Sequence, residues 1–127
     1  MKKGYLLPAA MLALILLFSL AAGTAISRCA SRCQASLQLA DAQAQAEQWP
    51  EAMETLLESY EDWTENQRWL HVLSRHDVVD GAETMYCRAI AFAAAREYSE
   101  FRAELADLDA QLQLLADAEH LSLENIL

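Results

Sequence analysis

The chain has 127 residues, a formal net charge of −10, and only three Gly and two Pro. Residues 28–127 hold all 19 acidic and seven basic residues, a charge of −12; such a surface repels nucleic acid, anionic lipid and anionic polymer. Sheets need frequent turns built on Gly, Pro, Asn and Asp. Scarce Gly and Pro beside plentiful Ala, Leu, Glu and Gln therefore predict an all-α protein, with an N-terminal transmembrane helix followed by a three- to four-helix antiparallel bundle.

The first element is apolar. No charge falls between Tyr5 and Ile26, and those 22 residues span roughly 33 Å as a helix, matching a hydrocarbon core of about 30 Å. Lys2 and Lys3 precede the run and place the N-terminus in the cytoplasm, although Arg28 and Arg32 on the far flank weaken that vote. Pro8 falls in the first turn, where a missing N–H costs little. Small residues at Ala21–Gly23 and Gly23–Ala25 offer a rival reading, a cleaved signal peptide, which would make the domain a secreted one. The run is longer than the roughly 7–15 apolar residues of such a peptide, which favours an anchor. A lipoprotein is disfavoured because Arg28 precedes Cys29 where a small residue is needed. The expected product is a single-pass cell-membrane protein that meets lipid through residues 5–26, with its C-terminal domain extracytoplasmic.

Division of the chain follows as an anchor or signal over 1–27, a helical stalk over 28–48 and a bundle domain over 49–127. The stalk carries Cys29, Cys33, Leu37 and Ala40 at helical spacing. Trp49-Pro50 ends it, because the residue before a proline is pushed out of the α region. Met53, Leu56, Leu57, Tyr60 and Trp63 share a face of the next helix, which either breaks at a capping box over Thr64–Gln67 or runs on through Trp69, Val72 and Leu73. A second capping box at Ser74–Asp77 opens a helix with Val79, Ala82, Tyr86, Ala89 and Ala93 in one stripe and Met85, Ile90 and Phe92 beside it. Gly81 inside that helix costs about 1 kcal/mol relative to Ala and marks tight packing.

Ser99 is a plausible N-cap for the last helix. Phe101, Leu105, Leu108, Leu112 and Leu115 then form a heptad seam, which a partner helix could use. The tail, 121–127, is apolar on alternate positions, a pattern suited to folding back on the bundle. No internal repeat of fixed period is visible; Trp49 with residues 91–101 resembles a helical-repeat protein only loosely.

Candidate chemistry is sparse. Cys29 and Cys33 lie near 6 Å apart on a straight helix, marginal for a disulfide. Three readings stand: an intrachain clasp, an interchain bridge, or plain membrane-proximal thiols. Their spacing is not that of a thioredoxin-type pair. Cys87 reads as a small buried hydrophobe. His76, Asp77 and Asp80, with Glu83, put one imidazole and three carboxylates on neighbouring turns, yet a single helix rarely supplies a full metal set. Acids at a helix start also offset its dipole. Trp49, Trp63 and Trp69 read as core anchors before they read as a ligand groove. No serine has a nucleophile's surroundings, so no catalytic residue, cofactor or metal is expected and the chain does not read as an enzyme.

Two stretches carry a resemblance. Trp63 and Trp69 followed by His76-Asp77-Val78-Val79-Asp80, together with the ending Glu119-His120-Leu121-Ser122-Leu123-Glu124-Asn125-Ile126-Leu127, resemble a domain-of-unknown-function family of small bacterial proteins with one N-terminal span. The resemblance covers most of residues 1–127 and implies a topology and a helical domain without a reaction. The Cys29/Cys33 pair does not belong to that pattern. The leading expectation is a structural or protein-interaction module that binds another envelope protein or itself. The alternative is an extracytoplasmic sensor of a divalent cation or small ligand.

Overall fold

The computed structural model describes residues 4–73 and 76–126, with side chains described up to residue 118. Four helices account for nearly all of them: α1 (Leu6–Gln45), α2 (Trp49–Leu73), α3 (His76–Ala94) and α4 (Tyr98–Ile126), with no strand among the described residues. Each helix packs on two others, in the cyclic order α1–α2–α3–α4–α1. With short connections this is an up-down-up-down antiparallel bundle.

α1 is a single helix of 40 residues, about 60 Å long. Its two halves have opposite surroundings. Leu6, Leu7, Met11, Leu12, Leu14, Ile15, Leu17 and Phe18 are all exposed, whereas Ile26, Cys29, Ala30, Cys33, Leu37, Ala40 and Ala44 are buried at helical spacing. The stalk residues thus form one wall of the bundle, and the apolar segment runs out of that wall without a break. The segment is long and apolar enough to cross a membrane, and only 6% of its most apolar window is buried in the bundle.

The turns explain where helices stop. Glu47 adopts φ 61° and Arg96 φ 56°, the left-handed conformation that closes a helix. At the first turn Gln48 N donates to Gln43 O at 2.8 Å and Glu47 N to Ala44 O at 3.0 Å. At the second, Glu97 N donates to Phe92 O and Arg96 N to Ala93 O, both at 3.1 Å. Both are Schellman motifs, built here without glycine. Pro50 follows the first, where its missing N–H is one of the helix's orphans anyway. The second places the start of α4 at Tyr98, with Phe101 N bonded to Glu97 O, so Ser99 sits inside the helix and is not its cap.

These twin turns expose a repeat that the sequence conceals. Glu47 and Arg96 are 49 positions apart, and the same offset carries the buried positions of the first hairpin onto the second. Cys29 answers to Val78, Cys33 to Ala82, Leu37 to Tyr86, Ala40 to Ala89, Ala44 to Ala93, Ala52 to Phe101, Leu56 to Leu105 and Trp63 to Leu112, all of them buried. Trp49 answers to Tyr98, and the two meet edge to face at 6.5 Å while Trp49 also meets Phe101 at 5.4 Å. That aromatic cluster closes the end of the bundle at which both turns lie.

α2 does not break at Thr64, whose hydroxyl bonds back to Glu61 O; it runs on to Leu73 and buries Leu70. Val79, Ala82, Tyr86, Ala89 and Ala93 line the buried face of α3 as their spacing predicts. A Cβ on Gly81 would lie 2.7 Å from the side-chain nitrogen of Gln111, which itself donates to Val78 O; the glycine lets α4 approach α3. α4 continues unbroken through Ile126 and does not turn back at 121. Ser74, half of the second capping box, and Leu127 lie outside the described residues, as do the side chains of the tail.

Candidate functional site

The five seam residues, Phe101, Leu105, Leu108, Leu112 and Leu115, are all buried inside the chain's own core. Their heptad spacing serves α1 and α3, because α4 presents that face to two neighbours of the same molecule. A seam already filled by its own bundle is not open to a partner helix, and the expectation of an interaction seam is corrected accordingly.

The histidine-carboxylate group also resolves differently from its sequence order. His71 Nε2 lies 2.7 Å from Asp80 Oδ1, bridging α2 to α3. His76 stacks on His71 with ring centroids 5.1 Å apart. Asp80 is thus engaged by an imidazole from the other helix, and His76 and Asp77 are exposed at the start of α3. Among the described residues no three His, Cys, Asp or Glu side chains converge on a point that could hold a metal ion.

Cys87 is exposed, and so is not the buried hydrophobe its apolar neighbours suggest. Its thiol lies 3.9 Å from the Tyr60 hydroxyl, which donates to Glu83 at 3.4 Å, and Gln67 donates to the same carboxylate at 2.7 Å. The bond with Cys87 and partial burial push the Tyr60 phenol up to about 12. Each residue of this chain bridges α2 and α3, which is a structural task.

A cluster of polar groups inside the bundle surrounds Cys29 and Cys33. Both are free thiols, each 1% exposed, so an interchain bridge through them has no access. They face Ser59 on α2 and Tyr86 on α3, whose hydroxyls are 2.7 Å apart. Trp63, one turn beyond Ser59, packs on Tyr86 with centroids at 6.2 Å, and its indole N–H is buried without a hydrogen-bond partner among the described residues. Position fixes the electrostatics. The hydrogen bond to Cys33, then burial, raises the Cys29 thiol. The bond from Cys29, helped by those of Tyr86 and Ser59 and opposed by burial, lowers Cys33 to about 7. Burial, reinforced by the neighbouring Cys33, raises the Tyr86 phenol. Ser59 and Tyr86 share one of their two hydroxyl protons between themselves, which leaves the other for the Cys33 sulfur.

The sequence singled out the two cysteines by their spacing but not their neighbours. Ser59 lies on the stripe Leu56–Trp63, where a lone serine is inconspicuous. Tyr86 reads as an ordinary core aromatic until the bundle sets it against Ser59. Trp49 and Trp63 are core anchors, as their type suggests, while Trp69 is half-buried and donates to Asn66.

Fold and site together define a four-helix antiparallel bundle continuous with one exposed apolar helix. The chain belongs to the family described as a domain of unknown function, DUF4363, whose model matches residues 21–126. The match takes in the whole bundle and begins inside the apolar segment. No curated protein and no solved structure matches the chain.

Proposed function

We infer that this protein is a membrane-anchored, extracytoplasmic helical module that works as a structural or protein-interaction element and not as an enzyme. The observation that carries the reading is α1. One helix provides both an exposed apolar segment and a wall of the bundle, so the domain is held at a fixed distance and tilt from whatever the segment enters. An enzyme tethered for convenience needs only a flexible linker; a rigid helical junction suits an element that positions a surface. Lys2 and Lys3 favour a cytoplasmic N-terminus. Since the heptad seam is internal, recognition of another envelope protein, or of a second copy, falls to the acidic outer faces of the helices.

Topology and partnership are tested together in the native membrane. Cys87 is exposed while Cys29 and Cys33 are buried, so a membrane-impermeant maleimide applied to intact cells should label Cys87 alone. Labelling only after lysis would refute the extracytoplasmic placement. Chemical crosslinking of the full chain, read by mass spectrometry, should then recover a specific envelope protein or a homodimer through the acidic faces. Recovery of the monomer alone would reject the interaction reading.

A further inference from the structure

The repeat relating the two hairpins supplies an internal control for the core. At the level of the cysteines the second hairpin places Val78 where the first has Cys29, Ala82 for Cys33, Leu108 for Ser59 and Leu112 for Trp63, all buried and all aliphatic. Packing at these positions is thus satisfied by aliphatic side chains. The first hairpin instead gathers two thiols, a hydroxyl and an indole N–H in one layer, and Tyr86, the counterpart of Leu37, adds a phenol from the other side. Burying polar groups costs free energy unless they are paired, and Trp63 Nε1 has no partner among the described residues. Such a layer is harder to explain as a packing solution than as a site.

Its chemistry is selective. Two sulfurs one helical turn apart on the same face are soft ligands. Zinc would want four ligands, and no third His, Cys, Asp or Glu joins the pair among the described residues. A copper(I)-class cation accepts two thiolates alone. On binding, two thiol protons leave and one monovalent cation enters, so the cluster carries one net negative charge inside the bundle. That charge needs hydrogen-bond donors: Ser59 and Tyr86 neighbour Cys33, and Trp63, packed on Tyr86, carries a buried N–H with no partner among the described residues; groups of this kind outside the ligand set orient ligands and tune affinity.

We propose that Cys29 and Cys33 bind one thiophilic monovalent cation of the copper(I) class between their sulfurs, with Ser59, Tyr86 and Trp63 as the hydrogen-bond donors around the complex. The site sits in the first turns of α1 beyond the apolar segment, independent of what the outer faces of the helices recognise.

The test uses the full chain in detergent, reduced and anaerobic, with copper(I) supplied as its coloured bicinchoninate complex. The protein should remove one copper(I) per chain from the chromophore and change Trp63 fluorescence. Cys87→Ser should keep that equivalent. Cys29→Val and Cys33→Ala, which install the residues the second hairpin already carries, should each lose it while retaining helical circular dichroism. No copper removed, or an equivalent that survives both substitutions, would overturn the proposal. If either variant fails to fold, silver(I) on the wild type decides: Cys29 and Cys33 should be protected from alkylation in denaturant while Cys87 reacts, and equal reaction of all three would refute the site. A Cys29–Cys33 disulfide in protein alkylated directly in its native membrane would refute it as well.

Discussion

The Ser59 and Tyr86 hydroxyls, 2.7 Å apart and both buried, join α2 to α3 at the level where α1 presents its two thiols. Helices carry their hydrogen bonds internally, so a bundle core needs no polar contacts between helices. A buried hydroxyl pair between two of them fixes their rotation and register, because any slip leaves both groups unpaired.

Removing one partner exposes that dependence. Tyr86→Phe leaves the Ser59 hydroxyl buried with one bond fewer, at a cost of about 1–3 kcal/mol. It also deprives the Cys33 sulfur of a donor. Thermal denaturation should show the lost stability, and the reaction rate of Cys33 with a small alkylating agent should acquire a midpoint above that of the parent. A variant destabilised with an unmoved midpoint would separate the hydroxyl from the thiol.

Thiol ionisation sets a pH dependence with a definite sign. Cys33 is lowered from 9.0 to about 7, so its contribution to stability is present above pH 9 and is lost as pH falls through 7. Cys29 is raised from 9.0, so its contribution is present below pH 9 and is lost as pH rises beyond that. Stability of the reduced protein should climb from pH 7 to 9 and decline above it, with the climb absent in Cys33→Ala. Chemical denaturation at several pH values measures both slopes.

The internal placement of the α4 seam predicts a contrast between neighbouring leucines. Leu108 is fully buried and Leu114 is 57% exposed. Leu108→Ala should cost about 2–5 kcal/mol by cavity formation, whereas Leu114→Ala should stay within about 0.5 kcal/mol. Equal costs would mean that the seam faces outward. The measurement is the denaturation midpoint of each variant at constant detergent.

Both Schellman turns hold a non-glycine residue in the left-handed region. That conformation costs an L-residue about 1–2 kcal/mol, partly offset by the greater freedom glycine has in the unfolded chain. Glu47→Gly and Arg96→Gly should each raise stability by roughly 0.5–1 kcal/mol, read as an increase in Tm. A decrease at either position would indicate that the side chain makes a contact worth more than the strain.

Much of this architecture is present in the linear pattern. Scarce Gly and Pro, the uncharged run from Tyr5 to Ile26, and the stripes Val79–Ala93 and Phe101–Leu115 specify helices and their buried faces, because a period of three and four residues is a local property of the chain. Local signals also fail in recognisable ways. Thr64–Gln67 has the residues of a capping box yet lies mid-helix, since the apolar stripe continues to Leu70 and packing outweighs a cap.

What the tertiary structure alone decides is which buried face meets which. Periodicity identifies the α4 seam but not that α1 and α3 of the same chain fill it. The repeat escapes notice because only a few identities, such as Ala40 with Ala89 and Leu56 with Leu105, survive at an offset of 49, whereas the twin left-handed turns reveal it at once. The thiol layer depends on the same step. Cys29 and Cys33 are neighbours by helical spacing, but Ser59, Trp63 and Tyr86 come from two other helices, and their meeting is a consequence of register between helices. Composition and period determine each helix by itself; the free energy of burying those faces together determines the site.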